Sequence, residues 1–433
     1  MVICNCNLES ERKTSMKSLV VLGALCASVA LATPTIDTAS VSVRQDGGKA
    51  VIIEYTLNPS ADDDGGFAIV TVDILTNAVG ATAASVGEEH LKTLAGDVNR
   101  MVKPGKHKIL WFPAKEGLPE IKLPAAQVTA RVTLWPTDSP PTYWIIDLTD
   151  PGNRLADRYY TTVEQIPGTV TNILYKTDRL VLRRIPAKGV TWKMGGSTSY
   201  GMAAYHYVSF SYDYYMAVFE FTNSQYNHIR GTWIERSNDA LPVTWSFENW
   251  RGNPLGASGY NWPANGHDGI DSGKVLAKLR TATNGIQFDM STEAEWEYAC
   301  RAGTTTKYCN GDTATELDKV AWYIDNAGDA VHEVGLKDPN LWGLYDMHGN
   351  YAEFCLDKGS KRGLDPVWDP VGPMEAEIAY PDPQKTSRIA TIRGGGWWGD
   401  YKSWSADHCA SYNNINFSYS ESKCTVRLTL PLK

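Results

Sequence analysis

The chain has 433 residues, of which 43% are hydrophobic and 21% are charged, and its formal net charge at pH 7 is −8. This is the composition of a globular protein, and the length is sufficient for two domains. Phosphate binding needs clustered Lys and Arg, and the chain has no long basic run. We therefore expect no nucleic-acid partner.

The first 32 residues have the pattern of an export signal. Met16 and Lys17 precede an apolar run over residues 19–31, and a small-residue cleavage motif ends at Ala32. The run is too short to span a bilayer and is typical of a cleaved signal peptide. We expect residues 1–32 to be an upstream extension and signal peptide, and the mature protein to be secreted or held in the periplasm or cell envelope. We expect no membrane span elsewhere.

Eight cysteines occur in the chain, and Cys4, Cys6 and Cys26 belong to the predicted leader. In an oxidising compartment most of the others should pair, and an odd number leaves at least one free thiol or an intermolecular bridge. The five that remain are Cys300, Cys309, Cys355, Cys409 and Cys424.

Residues 33–136 have the pattern of short β-strands. Apolar alternation over residues such as 50–57 and 128–135 is interrupted by clusters of Gly, Asp, Asn and Pro. This spacing predicts a β-sandwich of immunoglobulin or fibronectin type, acting as a spacer or docking module. The Pro-containing residues 137–154 predict a linker, and residues 155–433 a second domain.

The second domain has few helical patterns. Only residues 222–229 and 291–301 are predicted to be helical, and Thr292 followed by Glu295 is a capping-box signature for the second helix. Elsewhere short strands alternate with long loops rich in Gly, Asn, Trp and Tyr. This texture is typical of folds in which loops carry the binding site.

Six blocks of the second domain recur in one order. They are Met194-Gly195-Gly196, residues 219–226 (FEFTNSQY), 242–245 (PVTW), 291–303 (STEAEWEYACRAG), 343–354 (GLYDMHGNYAEF) and 393–404 (RGGGWWGDYKSW). In this order they resemble the formylglycine-generating enzyme, or sulfatase-modifying factor, family over about residues 180–430. The resemblance implies a variant of the C-type lectin fold. The expected fold class is therefore α+β, a β-sandwich followed by a C-type-lectin-like domain with little regular secondary structure.

The resemblance also implies a copper oxidase, and here the sequence departs from the family. The family's two copper-binding cysteines map, counted from Arg393, to Gly399 and Trp404. Cu(I) is held by soft sulfur ligands, which neither residue provides. The eight histidines do not form the H-x-x-x-H-x-E motif of the related iron enzymes. We therefore expect no copper, no iron and no catalytic residue.

Structural calcium is a further implication of the resemblance. The family's calcium positions map to Asp346, Gly349, Tyr351 and Glu353. Two carboxylates and two backbone carbonyls are hard oxygen ligands suited to Ca²⁺. The alternative is that Asp346 and Glu353 bind neighbouring N–H groups without a metal.

Cys300 and Cys409 match two family positions that form a disulfide. The resemblance therefore implies a bridge between the 291–301 helix and the C-terminal segment. The alternative is two buried thiols. No partner is assigned to Cys309, Cys355 or Cys424.

Aromatic, Asp and Asn side chains crowd the segment that follows Arg393. Such side chains suit glycan or protein contacts. The sequence thus predicts a catalytically degenerate module that binds an unknown glycan or protein ligand. The candidate ligand-binding residues are Trp398, Asp400, Tyr401, Trp404, Asp407, His408, Tyr412 and Asn414.

Two other functions stay open at this stage. One is an active oxidase that acts on sulfatase cysteines with a displaced copper site. The other is a structural protein of the cell envelope, with the sandwich used for attachment.

Overall fold

A computed structural model describes most of the chain after the predicted leader. Its described residues are 34–46, 50–59, 66–76, 84–118, 128–196, 205–230, 240–252, 270–358, 367–370, 389–397, 405–418 and 424–433. The predicted signal peptide lies outside the described residues. So do four of the eight candidate ligand-binding residues, Trp398, Asp400, Tyr401 and Trp404.

Eight strands form two sheets in the N-terminal part. They are β1 (Thr35–Asp46), β2 (Ala50–Asn58), β3 (Ala68–Thr76), β4 (Ala84–Ser85), β5 (Ala95–Gly96), β6 (Arg100–Val102), β7 (Gly105–Trp111) and β8 (Val128–Trp135). The first sheet has the order β1-β2-β7-β5, and in the second β3 pairs with β4, β6 and β8. All of these pairings are antiparallel.

Both sheets contribute to one hydrophobic core. Tyr55 from β2, Ile74 from β3 and Trp111 from β7 are buried in it together. The Trp111 indole N–H donates to the carbonyl of His90 at 2.8 Å, so its one polar atom is satisfied. Two sheets on a shared core agree with a sandwich, and the immunoglobulin or fibronectin type stays a prediction.

A six-stranded sheet is the centre of the C-terminal part. Its strands are β9 (Tyr143–Asp147), β10 (Arg158–Tyr160), β11 (Arg179–Ile185), β14 (Asp213–Ala217), β15 (Asp289–Met290) and β20 (Leu428–Leu432), in the order β10-β9-β11-β14-β20-β15. The predicted linker 137–154 therefore needs correction. Trp144 of β9 is buried and donates to Asp157 at 3.0 Å, because this apolar stretch belongs to the core.

Two smaller sheets flank the central one. One consists of β12 (Thr191–Met194), β13 (His206–Ser209) and β17 (Val367–Trp368), and the other of β16 (Glu353–Lys358), β18 (Ile389–Arg393) and β19 (Ile415–Ser418). The first carries the Met194 block, and the second joins two other blocks, because Glu353 pairs with Arg393. Sequence blocks that lie far apart thus meet in space.

The described residues form six α-helices. They are α1 (Leu174–Thr177), α2 (Asn223–Arg230), α3 (Phe247–Trp250), α4 (Val275–Ala282), α5 (Glu293–Arg301) and α6 (Ala314–Val320). The two predicted helices correspond to α2 and α5, and the other four were not predicted. The capping box is confirmed: Glu295 N donates to Thr292 Oγ1 at 3.1 Å and Thr292 N to Glu295 Oε2 at 2.8 Å. In the described part of the chain, no helix has the length and apolarity needed to cross a membrane.

A buried ion pair joins the C-terminal strand to the 343–354 block. Arg427 Nη2 lies 2.6 Å from Glu353 Oε1, and both side chains are at most 1% exposed. Arg427 also donates to the carbonyls of Ala217, Val218 and Tyr345 at 2.8–3.0 Å. The guanidinium therefore binds two segments of the chain, residues 217–218 and the 343–354 block.

We expect the Arg427→Met substitution to destabilise the protein by about 3–5 kcal/mol, because it leaves Glu353 buried without its counter-charge. The matched control is Arg44→Met, which breaks an ion pair to Glu54 whose side chains are 53% and 48% exposed. That change should cost about 0–1 kcal/mol. Urea unfolding followed by tryptophan fluorescence measures both values. Equal losses in the two variants contradict the prediction.

Candidate functional site

An open pocket of about 340 Å³ lies where β12, the end of α5 and the segment after Cys409 meet. Aromatic and hydroxyl side chains form most of its wall, and none of its described lining residues is acidic. The lining residues are Trp192, Lys193, Gly195, Tyr205, Tyr298, Arg301, Gly303, Thr304, Thr305 and Tyr412.

The aromatic side of this pocket is a connected group of rings. The centroids of Trp192 and Tyr298 lie 5.3 Å apart, and those of Tyr298 and Trp342 lie 5.1 Å apart. Tyr205, which is 47% exposed, has Lys193 Nζ at 3.7 Å from its ring centroid. Rings held in this way present a rigid apolar surface next to a cation.

Tyr412 closes the pocket from the C-terminal segment. Its ring lies directly on the backbone of Gly196, where a Cβ atom would overlap the ring carbons. Burial raises the pKa of Tyr412, so its hydroxyl stays protonated at neutral pH. Glycine at position 196 is thus required for the observed position of this ring.

Arg301 is fixed at the base of the pocket. Its Nε donates to Glu297 Oε1 at 2.9 Å, its Nη2 to the carbonyl of Gly195 at 2.9 Å and its Nη1 to that of Thr306 at 3.2 Å. Because Glu297 balances its charge, Arg301 acts mainly as a positioning residue. Lys193 is the other cation that lines the pocket, and no acidic side chain is among the described lining residues.

A second pocket, of about 520 Å³, lies on the other side of the 303–306 loop. It shares Gly303, Thr304 and Thr305 with the first and is bounded by Leu341, which is 77% exposed. Arg301 and Cys309 flank this loop. The loop is therefore a common wall of two pockets.

The described candidate residues have different environments. Tyr412 lines the first pocket, and the exposed Asp407 forms an ion pair with Lys307. His408 Nδ1 accepts from Ser405 N at 3.0 Å, and burial lowers its pKa. Asn414 needs correction as a surface contact. It is buried and donates to Glu293 Oε1 at 2.7 Å, an oxygen that also accepts from Arg393.

Sequence reasoning missed Trp192, Tyr205 and Tyr298 as pocket residues. Trp192 lies in β12 before the Met194 block, Tyr298 lies in the 291–303 block, and Tyr205 precedes β13. Their approach depends on the β12–β13 pairing and on the packing of α5, which no local pattern encodes. The sequence signal available was the abundance of Trp and Tyr alone.

The predicted calcium residues fit the ion in part. Asp346 is buried. Its Oδ2 accepts from Gly335 N at 2.7 Å, and its Oδ1 has no hydrogen-bond partner in the described part of the chain. Glu353 is engaged by Arg427 and by Trp296 Nε1 at 2.7 Å. Asp346 thus has one oxygen that could bind a metal ion, whereas Glu353 already forms an ion pair with Arg427.

Three buried carboxyl groups crowd this region. Burial raises the pKa of Asp346 to about 6 and that of Glu220 well above its usual value, and the neighbouring charges of Asp346 and Glu353 raise the latter further. Glu220 accepts from Asn350 Nδ2 at 2.7 Å. The positive charge of Arg427 acts in the opposite direction and lowers the pKa of both Glu220 and Asp346.

The predicted Cys300–Cys409 bridge is absent from the structure, in which the five described cysteines are buried and form no disulfide. The imidazole of His348 contacts both residues. Cys300 Sγ lies 3.5 Å from His348 Nε2, and His348 Nδ1 donates to the carbonyl of Cys409 at 2.7 Å. The Cys409 sulfur packs instead against the backbone of Gly395, where a Cβ would lie 2.7 Å from it.

Arg393 links the glycine-rich turn to α5. Its Nε donates to Glu293 Oε1 at 2.9 Å, and its Nη1 donates to Glu297 Oε2 at 2.9 Å and to the Ser411 carbonyl at 2.8 Å. Glu297 also accepts from the amide of Gly195 at 2.8 Å. The Arg393 block thus has a structural role beneath the pocket.

Several known proteins are similar to part of this chain. A variable protein 1 of Treponema denticola is 24% identical, covering 58% of this chain and 95% of its own, with a TM-score of 0.44. PvdO from Pseudomonas aeruginosa is 18% identical, covering 57% and 93%, with a TM-score of 0.42. A chaperone protein LppX of Paenibacillus barcinonensis is 28% identical over 145 residues, 29% of this chain and 44% of that protein. The match thus spans less than half of that curated relative.

A family model for the sulfatase-modifying factor enzyme 1-like domain matches residues 183–429. This range contains all six sequence blocks and the first pocket. It confirms the resemblance on which the sequence interpretation depends. Because the match covers more than half of the chain, the protein belongs to the family with a sulfatase-modifying factor enzyme 1-like domain.

Proposed function

We propose that this protein is an exported, catalytically degenerate member of its family and binds a glycan or protein ligand in the first pocket. The observation that supports this most directly is the aromatic wall of the pocket, in which the rings of Trp192 and Tyr298 are in contact and Tyr205 and Tyr412 complete the lining. It is open to solvent, and Tyr412 follows the expected copper positions 399 and 404 in the sequence.

The chemistry of the wall favours a ligand with flat apolar faces and polar edges. Sugar rings and aromatic peptide side chains both have this form, and ring stacking contributes about 0.5–1.5 kcal/mol per aromatic pair. Lys193 supplies a cation at the rim, while Thr304 and Thr305 line the wall. We therefore favour ligands that carry a carboxylate or another acidic group.

The loss of oxidase activity is proposed from the sequence and from the described thiols. Gly399 and Trp404 replace the two copper-binding cysteines. Burial raises the pKa of Cys300 well above its usual value, and that of Cys309 and of Cys409 to about 12. These protonated thiols are poor copper ligands, since binding requires the thiolate.

The Gly196→Ala substitution should weaken ligand binding about tenfold, because the added Cβ displaces the ring of Tyr412. A tenfold change corresponds to about 1.4 kcal/mol, in the range of one lost aromatic contact. The probes are the oligosaccharides and peptides that the wild-type protein retains on an array, titrated by calorimetry. Gly152→Ala is the control, since a Cβ there meets its nearest atom, the Ala282 carbonyl oxygen, at an ordinary 3.6 Å. Unchanged affinity in Gly196→Ala argues against this pocket.

We expect no formylglycine when the purified protein is incubated with copper, oxygen and a peptide that contains a sulfatase cysteine motif. The reason is that Gly399 and Trp404 provide no thiolates for Cu(I). Mass spectrometry of the peptide measures the product, and an active family oxidase treated in the same way is the control. Formylglycine above the background without protein would restore the oxidase function.

We also propose that calcium is held at Asp346 with the carbonyls of Gly349 and Tyr351, whereas Glu353, which Arg427 and Trp296 bind, does not take part. Chelation should then lower the thermal midpoint by about 5 °C relative to calcium at about 100 times its Kd. Asp346→Asn should remove this response, and Asp338→Asn, an exposed nearby control, should keep it. An equal midpoint with calcium and with chelator rules out the site.

A further inference from the structure

We propose that the junction between the N-terminal sheets and the C-terminal sheet is a binding site for a small oxyanion with two or more negative charges, such as a polyphosphate or a polycarboxylate. The site is a pocket of about 350 Å³ whose wall contains residues of both parts of the chain. It shares no lining residue with the aromatic pocket. The inference therefore does not depend on the ligand proposed for that pocket.

The two parts of the chain are packed together beside this pocket. Tyr159 N of β10 donates to the carbonyl of Asn99, next to β6, at 2.8 Å. Ile69 of β3 is buried in the same hydrophobic core as Trp144 of β9 and Tyr159. An apolar contact and a backbone hydrogen bond thus hold the two sides of the pocket in place. A ligand that touches both sides has little to order when it binds.

Three cationic side chains line the pocket, and they come from both sides of the junction. Lys92 and Arg100 belong to the N-terminal part, and Arg158 belongs to β10. None of the three forms an ion pair with another described residue. Arg100 Nε is buried and has no hydrogen-bond partner in the described part of the chain. A buried donor without an acceptor is costly, and an oxyanion in the pocket would supply the acceptor.

Arg158 is fixed by the backbone through one of its nitrogens. Its Nη1 donates to the carbonyls of Leu155, Ala156 and Asp157 at 3.2, 2.8 and 2.9 Å. Its Nε and Nη2 make no hydrogen bond to another described residue. Burial lowers the pKa of Arg158, and the charge of Arg100 lowers it further, as expected for two cations on one pocket. An anion between the two guanidinium groups would replace this repulsion with attraction.

The carboxylates near the pocket already have other partners. Asp97 is the one acidic residue of the described lining, and its Oδ2 lies 3.1 Å from His107 Nδ1. Asp157, which precedes Arg158, accepts from Arg154 Nε at 2.8 Å and from Trp144 Nε1 at 3.0 Å. The lining therefore carries three cations and one carboxylate, and that carboxylate pairs with none of the three.

The donors of the pocket define the ligand by its chemistry. Guanidinium groups present forked N–H donors that match the oxygens of phosphates and carboxylates. Tyr160 also lines the pocket, and burial raises its pKa to about 12, so its hydroxyl is protonated and can donate. The pocket is roughly ten times larger than the ~30 Å³ that one water molecule occupies in the liquid. It therefore has room for an anion of the size of pyrophosphate or citrate.

Calorimetric titration of the full-length protein with pyrophosphate, citrate and acetate at one ionic strength tests the site. We expect pyrophosphate or citrate to bind and acetate, with its single charge, to bind at least tenfold more weakly. Arg100→Met should weaken binding about tenfold, because it removes a hydrogen bond to a charged group. Arg131→Met is the matched control and should keep the wild-type affinity, since Arg131 is 68% exposed on β8 and lies 3.9 Å from Asp73.

The two anions identify the source of the charge. Binding of pyrophosphate alone supports a phosphate ligand, binding of citrate alone supports a carboxylate ligand, and binding of both supports a site for either group. The proposal is overturned if neither anion binds, if acetate binds equally well, or if Arg100→Met retains the wild-type affinity.

Hydrogen exchange of the wild-type protein locates the bound anion and remains decisive if Arg100→Met fails to fold. The anion that binds in the titration should slow amide exchange severalfold in residues 97–102 and 158–160, on the two sides of the junction. Exchange in residues 301–306, beside the aromatic pocket, should stay unchanged. Protection of residues 301–306 in place of the junction would assign the anion to Lys193 and Arg301 and reject the proposed site.

Discussion

The Arg427–Glu353 pair is the contact on which the C-terminal architecture depends. Burying two charges is costly unless their remaining donors and acceptors are satisfied. Here the guanidinium also binds carbonyls at the end of β14 and in the 343–354 block, and Glu353 accepts from Trp296 of α5. Four segments must therefore be in place together. The pair specifies their arrangement more than it adds net stability.

A second buried network connects this scaffold to the first pocket. Arg393 binds Glu293 and Glu297, and Glu297 in turn binds Arg301 and the amide of Gly195. Arg301 and Gly195 both line the pocket. The base of the pocket is thus fixed by the same acidic residues of α5 that hold the glycine-rich turn.

The sequence predicted what is encoded locally. The cap of α5 depends on Thr292 and Glu295 three residues apart, so a short window is sufficient to find it. The same pattern at Thr313 and Glu316 opens α6, but that helix has only two buried residues, Leu317 and Val320, and so lacks a helical hydrophobic pattern. The cap of α6 is thus encoded locally, but the apolar face of the helix is too short to predict it from the sequence.

Errors arose where a distant partner determines the environment of a residue. Asn414 has the composition of a surface residue, but Glu293 binds its amide in the interior. Cys300 matches a family disulfide position, but His348 lies against it and against Cys409. Trp144 lies in a Pro-bounded segment that resembles a linker, and its indole is nevertheless buried against Asp157.

Family membership and family activity have separate physical origins in this chain. Arg393 binds Glu293 and Glu297, and Arg427 binds Glu353, whereas the copper thiolates of an oxidase would be at positions 399 and 404. The sequence keeps both arginines and these three carboxylates although the two copper positions have changed. Loss of one partner of a buried ion pair is costly, so these pairs can maintain the scaffold. Positions 399 and 404 can meanwhile change from thiols to other side chains. The six blocks therefore indicate the fold of the family, whereas the residues at 399 and 404 indicate whether its copper chemistry is possible.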